Sequence, residues 1–242
     1  MTSAALKAAR GLVRDFGEVE QLQVSIKGPG EFVSTADLKA ERTLRNELHR
    51  ARPGYGLLFE EGGEVAGGDP RHRWIVDPLD GTREFSEPGR HDWAVHVALW
   101  TDGAFGGSAV SLPAVGLTFG TDPAPVVPPM TRDRPRVVTS RTRAPYATVL
   151  VAEALGCDAV RLGSAGAKAM AVVLGEADIY VHDGGMYQWD SAAPAAVALA
   201  AGLHASRLDG SPLVYNERDP WLPDFIVCRP ELADAVHQAL WG

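Results

Sequence analysis

The sequence predicts a mixed fold, with an α+β first half followed by an α/β second half. In the first half, an amphipathic helix precedes several short apolar runs that turn residues separate, which is typical of a meandering sheet. From Arg136 onward, short apolar runs alternate with helical segments, as in an α/β unit. A proline-rich stretch, Asp122–Arg136, lies between the two patterns. We therefore predict two halves, residues 1–130 and 131–242.

The first half begins with a predicted helix over Ala4–Phe16 and a loop at Gly28-Pro29-Gly30. A second helix is predicted over Asp37–Arg52, because its apolar residues recur at steps of four, four and three. Those residues are Ala40, Leu44, Leu48 and Ala51. The candidate N-caps of this helix are Ser34, Thr35 and Asp37.

Two short predicted strands of the first half end directly in acidic residues. Tyr55–Phe59 is followed by Glu60-Glu61, and Trp74–Val76 is followed by Asp77 and Asp80. Ends of strands are where functional sites usually collect. Trp93–Trp100 is predicted as a long strand with His96 as a hydrogen-bonded sheet residue, and Gly106–Val110 with Gly116–Gly120 as a hairpin.

The second half alternates strands and helices. The predicted strands are Arg136–Ser140, Val160–Leu162 and Ile179–His182, and the predicted helices are Tyr146–Leu155 and Ala165–Leu174. A further helix is predicted to start after Asp190, with Pro194 tolerated in its first turn.

Charge and composition exclude several classes of function. The formal net charge of −8 and the lack of a basic cluster argue against a nucleic acid polymer as partner. No apolar stretch approaches the roughly 20 residues of a membrane span. The cysteines, Cys157 and Cys228, lack the spacing of a zinc site and suit a reducing compartment. We expect a cytoplasmic protein whose partner is a small molecule.

The strongest local signal is Asp77-Pro78-Leu79-Asp80-Gly81-Thr82. The proline turns the chain after the first carboxylate, so a second carboxylate three residues later can face the same volume. Two carboxylates held together repel each other unless a cation lies between them, and such oxygen ligands suit Mg²⁺ or Mn²⁺. The alternative interpretation is an acidic turn that caps a helix.

Other acidic residues favour the metal interpretation. Glu60-Glu61 ends a neighbouring predicted strand, and Trp189-Asp190 places a further carboxylate at a predicted helix start. Taken alone, Asp190 is also typical of a helix cap. No two histidines have metal-ligand spacing, which disfavours a histidine-based mechanism. Together the acidic residues predict a pocket for divalent cations.

Four motifs resemble those of the inositol monophosphatase superfamily, which comprises metal-dependent, lithium-sensitive phosphatases. They are Val33-Ser34-Thr35-Ala36-Asp37, Glu60-Glu61, Asp77-Pro78-Leu79-Asp80-Gly81-Thr82 and Trp189-Asp190. The resemblance covers nearly the whole chain. It implies a layered α-β-α-β-α sugar-phosphatase fold, with a metal cleft between the halves, and an Mg²⁺-dependent phosphomonoesterase activity.

The resemblance also implies a role for each motif residue. Glu60, Asp77 and the Leu79 carbonyl would bind a first Mg²⁺, while Asp77, Asp80 and Asp190 would bind a second. Two or three Mg²⁺ per site are implied, and Mn²⁺ is possible. Asp37 and Thr82 would orient and deprotonate the attacking water, and the amides of Gly81 and Thr82 would hold phosphate oxygens. Glu61 would accept a hydrogen bond from a coordinated water or a backbone amide.

Two branches of the family are represented in the sequence. Val24–Glu61, including Lys27–Val33, resembles bacterial inositol-1-monophosphatases. Gly81–Ser86, Asp92–His96, Gly163–Met170 and Trp189–Pro194 resemble actinobacterial 3'-phosphoadenosine 5'-phosphate phosphatases of the CysQ type, enzymes of sulfur metabolism. The second branch supplies the substrate pocket and implies 3'(2'),5'-bisphosphate nucleotidase activity. Inositol 1-phosphate and fructose 1,6-bisphosphate are alternative substrates, and a catalytically silent module is a third possibility.

In the nucleotidase branch, Gly163, Ser164 and Lys168 would approach the substrate, with the lysine facing a second phosphate. Arg83 is another candidate counter-charge. The alternatives are an ordinary helix-surface lysine and a surface ion pair from Arg83 to Glu84 or Glu87. Asp183 stands where inositol monophosphatases place a glutamate that binds sugar hydroxyls, or is simply a turn residue. Relatives in the inositol branch are commonly dimers, so a homodimer is possible.

Overall fold

The structure is a computed structural model that describes residues 24–28, 31–142 and 144–242. The predicted helix Ala4–Phe16 lies outside the described residues, as do Pro29 and Gly30 of the predicted loop.

The described chain opens with a hairpin of β1 (Val24–Gly28) and β2 (Glu31–Ser34), followed by helix α1 (Thr35–Ala51). Ser34 is the N-cap, since its hydroxyl accepts from the amides of Ala36 and Asp37. In return, the Asp37 carboxylate accepts the Ser34 amide at 2.8 Å, which completes a capping box. The predicted helix is confirmed and begins two residues earlier than predicted.

The first sheet has seven strands in the order β4-β3-β5-β6-β8-β9, with β7 beside β6. The strands are β3 (Tyr55–Phe59), β4 (Gly63–Val65), β5 (Asp69–Asp80), β6 (Ala94–Thr101), β7 (Ala104–Phe105), β8 (Ala109–Leu112) and β9 (Leu117–Gly120). β3 and β5 are parallel, and the other pairs are antiparallel. A short helix, α2 (Thr82–Ser86), follows β5.

The predicted hairpin is confirmed, with one boundary wrong. Its first strand begins at Ala109, three residues after the predicted start, because the Gly106 amide bonds back to the Leu99 carbonyl in a turn. Pro113–Val115 forms the 3₁₀ turn that joins β8 to β9. The predicted strand Trp74–Val76 is the centre of the longer β5.

The second sheet has five strands in the order β11-β10-β12-β14-β13. They are β10 (Arg136–Ser140), β11 (Asp158–Leu162), β12 (Ile179–Tyr187), β13 (His204–Ser206) and β14 (Trp221–Cys228). The helices of this half are α3 (Tyr146–Leu155), α4 (Ala165–Val173), α5 (Gln188–Ala200) and α6 (Ala233–Trp241). The predicted alternation is confirmed; β13, β14 and α6 were not predicted. Residues 121–135 carry no regular structure, and the boundary at residue 130 stays a prediction.

The start of α5 differs from the prediction. The helix begins at Gln188, so Asp190 is its third residue and Pro194 lies in the second turn. The prediction of a helix that begins after Asp190, with Pro194 in its first turn, was therefore wrong. Asp190 acts as the partner in a capping box, since its carboxylate accepts the Tyr187 amide at 2.6 Å.

The elements stack in five layers. Helix α1 covers the outer face of the first sheet, and α3 and α6 cover the outer face of the second. Helices α4 and α5 lie between the sheets and contact strands of both. The largest apolar cluster accordingly combines Ile75 and Val110 of the first sheet with Met170 of α4 and Tyr180 of the second sheet. The predicted α-β-α-β-α layering is confirmed.

Within the part of the chain that the structure describes, no helix combines the length and the apolar character needed to cross a bilayer.

Candidate metal and phosphate site

Three of the predicted metal ligands meet at one point between the halves. Asp77, Asp80 and Asp190 each present a carboxylate oxygen, and these oxygens all lie within 4.8 Å of one another. Asp77 and Asp80 come from the end of β5, whereas Asp190 comes from the first turn of α5 in the other half. The fold therefore assembles this acidic cluster, the name used below for these three residues.

A cleft of about 400 Å³ opens over the acidic cluster. It is lined by Glu60, Asp77, Leu79, Asp80, Gly81, Thr82, Arg83, Glu84, Ser140, Arg141, Thr142, Gly163 and Asp190. All five predicted metal ligands are in this set. Glu61 follows Glu60 after β3, is partly exposed, and is not among the residues that line the cleft.

The cluster is electrostatically costly. Burial and the negative charges of Glu60, Asp80 and Asp190 raise the pKa of Asp77 well above its ordinary value. Burial, followed by the charge of Asp80, raises the pKa of Asp190 to about 6. A divalent cation would remove both penalties, and carboxylate oxygens are the ligands that Mg²⁺ and Mn²⁺ prefer. The donor set therefore fits such a cation.

Asp80 has partners that keep it ionised. The first amides of α4, those of Ala165 and Gly166, donate to its two oxygens at 3.2 and 2.6 Å. His96 Nε2 lies 3.2 Å from the same carboxylate. Burial raises the pKa of Asp80, but the His96 charge and the hydrogen bonds outweigh burial and hold that pKa below its ordinary value.

Thr82 and Asp37 form a buried pair at the edge of the cleft. The Thr82 hydroxyl donates to Asp37 Oδ1 at 2.8 Å, while the Ser34 amide and hydroxyl donate to Oδ2. Burial raises the pKa of Asp37, against the opposing effect of these hydrogen bonds. Because the single hydroxyl proton of Thr82 points at a carboxylate, its oxygen is left as an acceptor for a group in the cleft.

The turn between Asp80 and Thr82 requires a glycine. Gly81 has a φ of 90°, and a Cβ there would lie 3.0 Å from Ser164 Cβ and 3.3 Å from Glu84 Oε2. The turn thus lies directly against the loop that carries Gly163 and Ser164. Before it, the Leu79 amide donates to Asp77 Oδ1 at 3.0 Å and orients that carboxylate.

Gly163, Ser164 and Lys168 form one rigid unit. The Gly163 amide donates to Asp92 Oδ2 at 2.6 Å, and its carbonyl accepts from Lys168 Nζ at 2.7 Å. The Ser164 hydroxyl accepts the Ala167 amide and caps α4. Lys168 is only 4% exposed, so it is not an ordinary surface lysine. Of the three predicted substrate residues, only Gly163 lines the cleft.

Asp183 lines a neighbouring cavity of about 290 Å³. Its carboxylate accepts the Ala147 amide at 3.1 Å in the first turn of α3. Ser140 and Thr142 line both cavities, so the two spaces adjoin. Arg83 lines the main cleft.

Two contacts at the site were not predicted from the sequence, the pairing of Arg141 with Glu84 and the contact of His96 with Asp80. Arg141 and Glu84 line the cleft and pair with each other across it. His96 was predicted as a hydrogen-bonded sheet residue, which is confirmed by its Nδ1 contact of 3.0 Å with the Trp189 carbonyl. Its contact with Asp80 was missed, since nothing local links residues on different elements.

The sequence matches the inositol monophosphatase family over residues 1–242. The chain belongs to the inositol monophosphatase family. It is therefore a hydrolase of the phosphatase class. The predicted family resemblance is confirmed.

Relatives within the family include both predicted branches. A Mycobacterium tuberculosis protein named 3'-phosphoadenosine 5'-phosphate phosphatase is 45% identical over 232 residues, which is 90% of this chain and 85% of the relative. A Rhizobium meliloti inositol-1-monophosphatase is 55% identical over 114 residues, 47% of this chain and 42% of the relative. The crystal structure of extragenic suppressor protein suhB from Bartonella henselae has a TM-score of 0.81 at 31% identity, covering 100% of this chain and 96% of that one.

Proposed function

We propose that this family member is an Mg²⁺-dependent phosphomonoesterase that removes the 3'-phosphate of 3'-phosphoadenosine 5'-phosphate, or of its sulfate ester. The observation that carries the chemistry is the convergence of Asp77, Asp80 and Asp190 within 4.8 Å. The choice of substrate is supported by the 45% identity to a phosphatase of that name over 90% of the chain.

The acidic cluster, with Glu60 and the Leu79 carbonyl, would hold two or three Mg²⁺ ions, and Mn²⁺ suits the same ligands. When bound, such cations supply Lewis acidity, which makes water more acidic and neutralises charge on the phosphate. Asp80 is suited to hold a cation because its amide partners and His96 favour its charged form.

Thr82 and Asp37 would move the proton of the attacking water. The Thr82 oxygen accepts a hydrogen bond from that water, because its own proton is donated to Asp37. Asp37 is suited to receive a proton through Thr82, since burial raises the pKa of its carboxyl group. The amides of Gly81 and Thr82, which start α2, have no acceptor within that helix and are assigned to the phosphate oxygens.

A second candidate substrate is inositol 1-phosphate or fructose 1,6-bisphosphate. Two observations favour it: the 55% identity to an inositol-1-monophosphatase over part of the chain, and Asp183 in the cavity that adjoins the cleft. Asp183 is assigned to sugar hydroxyls in this alternative.

The test is phosphate release from 3'-phosphoadenosine 5'-phosphate, inositol 1-phosphate and fructose 1,6-bisphosphate with Mg²⁺ present. We expect 3'-phosphoadenosine 5'-phosphate to have the highest kcat/KM of the three. If its kcat/KM is equal to or lower than that of either other substrate, the substrate assignment is rejected. Asp80→Asn should abolish turnover, because it removes one charge from the proposed cation ligands. Asp158→Asn, which removes a surface carboxylate 3.3 Å from Arg134, is the matched control and should stay active.

We further propose a cytoplasmic location, which is supported by the free thiols of Cys157 and Cys228. The expected partners are small phosphorylated metabolites and not nucleic acid polymers, in keeping with the net charge of −8. A homodimer stays a prediction, to be tested by light scattering.

A further inference from the structure

Arg141 follows β10 and reaches across the cleft to the first half. Its guanidinium donates to Glu84 Oε1 from Nε at 3.1 Å and from Nη2 at 2.6 Å. It also donates to Glu87 from Nη1 at 3.0 Å and from Nη2 at 3.1 Å. One positive charge therefore faces two carboxylates, and both Arg141 and Glu84 line the cleft over the acidic cluster.

The two carboxylates are held differently. The Glu84 side chain is 10% exposed, and it fills the space beside Gly163 so closely that a Cβ on Gly163 would overlap its carboxyl group. The Glu87 side chain is 43% exposed and lies just beyond the end of α2. Exposed ion pairs contribute only about 0–1 kcal/mol, so the Glu87 contact can be exchanged for another anion at little cost.

Of the two cationic candidates named from the sequence, Arg83 lines the cleft together with Arg141, whereas Lys168 is occupied elsewhere. Lys168 is 4% exposed, donates to the Gly163 carbonyl at 2.7 Å, and does not line the cleft. Arg141 does line it, and the planar fork of a guanidinium binds a phosphate as readily as the carboxylates that it binds here.

We propose that Arg141 determines specificity by binding a second, non-hydrolysed anionic group of the substrate, which takes the place of Glu87 on the guanidinium. Glu84 keeps Arg141 in position during the exchange. The inference rests on the proposed function and deepens it, because it makes small bisphosphates the preferred substrates over monophosphates. Glu87 competes with the substrate for the same nitrogen atoms.

The test compares 3'-phosphoadenosine 5'-phosphate with adenosine 3'-phosphate, which differs only by the 5'-phosphate. The measured quantity is the ratio of their kcat/KM values, the bisphosphate preference. A charge-assisted hydrogen bond contributes about 1.5–3 kcal/mol, so Arg141→Ala should lower this preference about 10- to 100-fold. Arg141→Lys keeps the charge but loses the planar guanidinium, so its bisphosphate preference should lie between those of the wild-type protein and Arg141→Ala. Glu87→Gln removes the competitor and should raise the preference about two- to fivefold.

Arg134→Ala, which removes a surface arginine, is the matched control and should leave the preference unchanged. A purely structural role for Arg141 would lower turnover of both substrates alike, and that result would overturn the inference while leaving the proposed function intact. The inference would also be overturned if Glu87→Gln lowered the bisphosphate preference. If the wild-type protein favours inositol 1-phosphate, the proposed function fails, and the inference fails with it.

Discussion

Removing one charge from the acidic cluster should stabilise the protein when no metal is bound. Asp190→Asn is the suitable change, because an asparagine side-chain oxygen can still accept the Tyr187 amide and preserve the cap of α5. The amide group that replaces the other oxygen can donate to the neighbouring carboxylates of Asp77 and Asp80. The substitution therefore replaces a repulsive contact with a favourable one.

The size of the effect follows from the pKa. The pKa of Asp190 rises from 3.8 to about 6 on folding, and each unit corresponds to about 1.4 kcal/mol, so the charged form costs about 2–3 kcal/mol. Since the folded-state pKa is raised, the wild-type protein has its full stability below about pH 4 and loses this amount as the pH rises through about 6. The side chain of the Asp190→Asn variant does not titrate, so the gain should be about 2–3 kcal/mol at pH 7.5 and only about 1 kcal/mol at pH 4.5.

The assay is urea unfolding in EDTA at both pH values, followed by circular dichroism. Addition of Mg²⁺ should then stabilise the wild-type protein more than the variant, because binding to the folded state raises stability by mass action. The matched control is Asp178→Asn. Asp178 is also buried, but Arg132 and Arg229 bind it at 2.6 and 2.7 Å, and these contacts hold its pKa below the ordinary value against the effect of burial.

The two variants should have opposite effects at pH 7.5 in EDTA. Asp178→Asn should destabilise the protein, since it leaves the buried Arg229 and the partly exposed Arg132 without their counter-ion. Two results would show that the carboxylates do not repel one another as described. One is that Asp190→Asn also destabilises the metal-free protein at pH 7.5; the other is that its stability gain is the same at pH 4.5 as at pH 7.5.

Three further predictions concern residues around the cluster. Thr82→Val, which removes the hydroxyl bound to Asp37, should lower kcat about 10²- to 10⁴-fold with little change in KM, as steady-state kinetics would show; an unchanged kcat contradicts the proton path. Ser34→Ala should cost about 1 kcal/mol in urea unfolding through loss of the α1 cap, and no loss would mean that the capping box is dispensable. Gly166→Ala should cost about 1–3 kcal/mol in the same assay, because the added Cβ would overlap His96 Nε2; an unchanged midpoint would rule out that close contact.

Features with a local cause could be predicted from the sequence. Helix α1 follows from its apolar spacing, and its observed cap, Ser34, is one of the three predicted candidates. The pairing of Asp77 with Asp80 follows from the proline and glycine around them. Asp190 alone was also typical of a helix cap, and it was added to that pair because the acidic residues together indicated a cation pocket. The family resemblance then assigned it to a second Mg²⁺. The structure shows that Asp190 serves the helix start and the cluster at once.

Features that depend on long-range packing could not be predicted. Arg141 and Glu84 are 57 residues apart in sequence, and Asp80 and Gly166 are 86 apart, so no spacing rule connects them. The start of α5 was misplaced for a related reason. An acidic residue before a helical segment predicts an N-cap. The carboxylate of the third helical residue can also accept the backbone amide of the N-cap, as Asp190 does from Tyr187, so the same sequence pattern fits a helix that starts earlier.

The packing of the middle layer determines whether the cluster can form. Asp80 belongs to the first sheet, but two of its hydrogen-bond donors are amides at the start of α4, and His96 joins it to the Trp189 carbonyl at the start of α5. Each half alone would leave a carboxylate or a ring nitrogen without its partner, which is costly in a buried position. The cation ligands therefore reach their observed geometry only when α4 and α5 lie between the two sheets. A substitution that loosens α4 against β6, as Gly166→Ala should, is accordingly expected to weaken cation binding as well as stability.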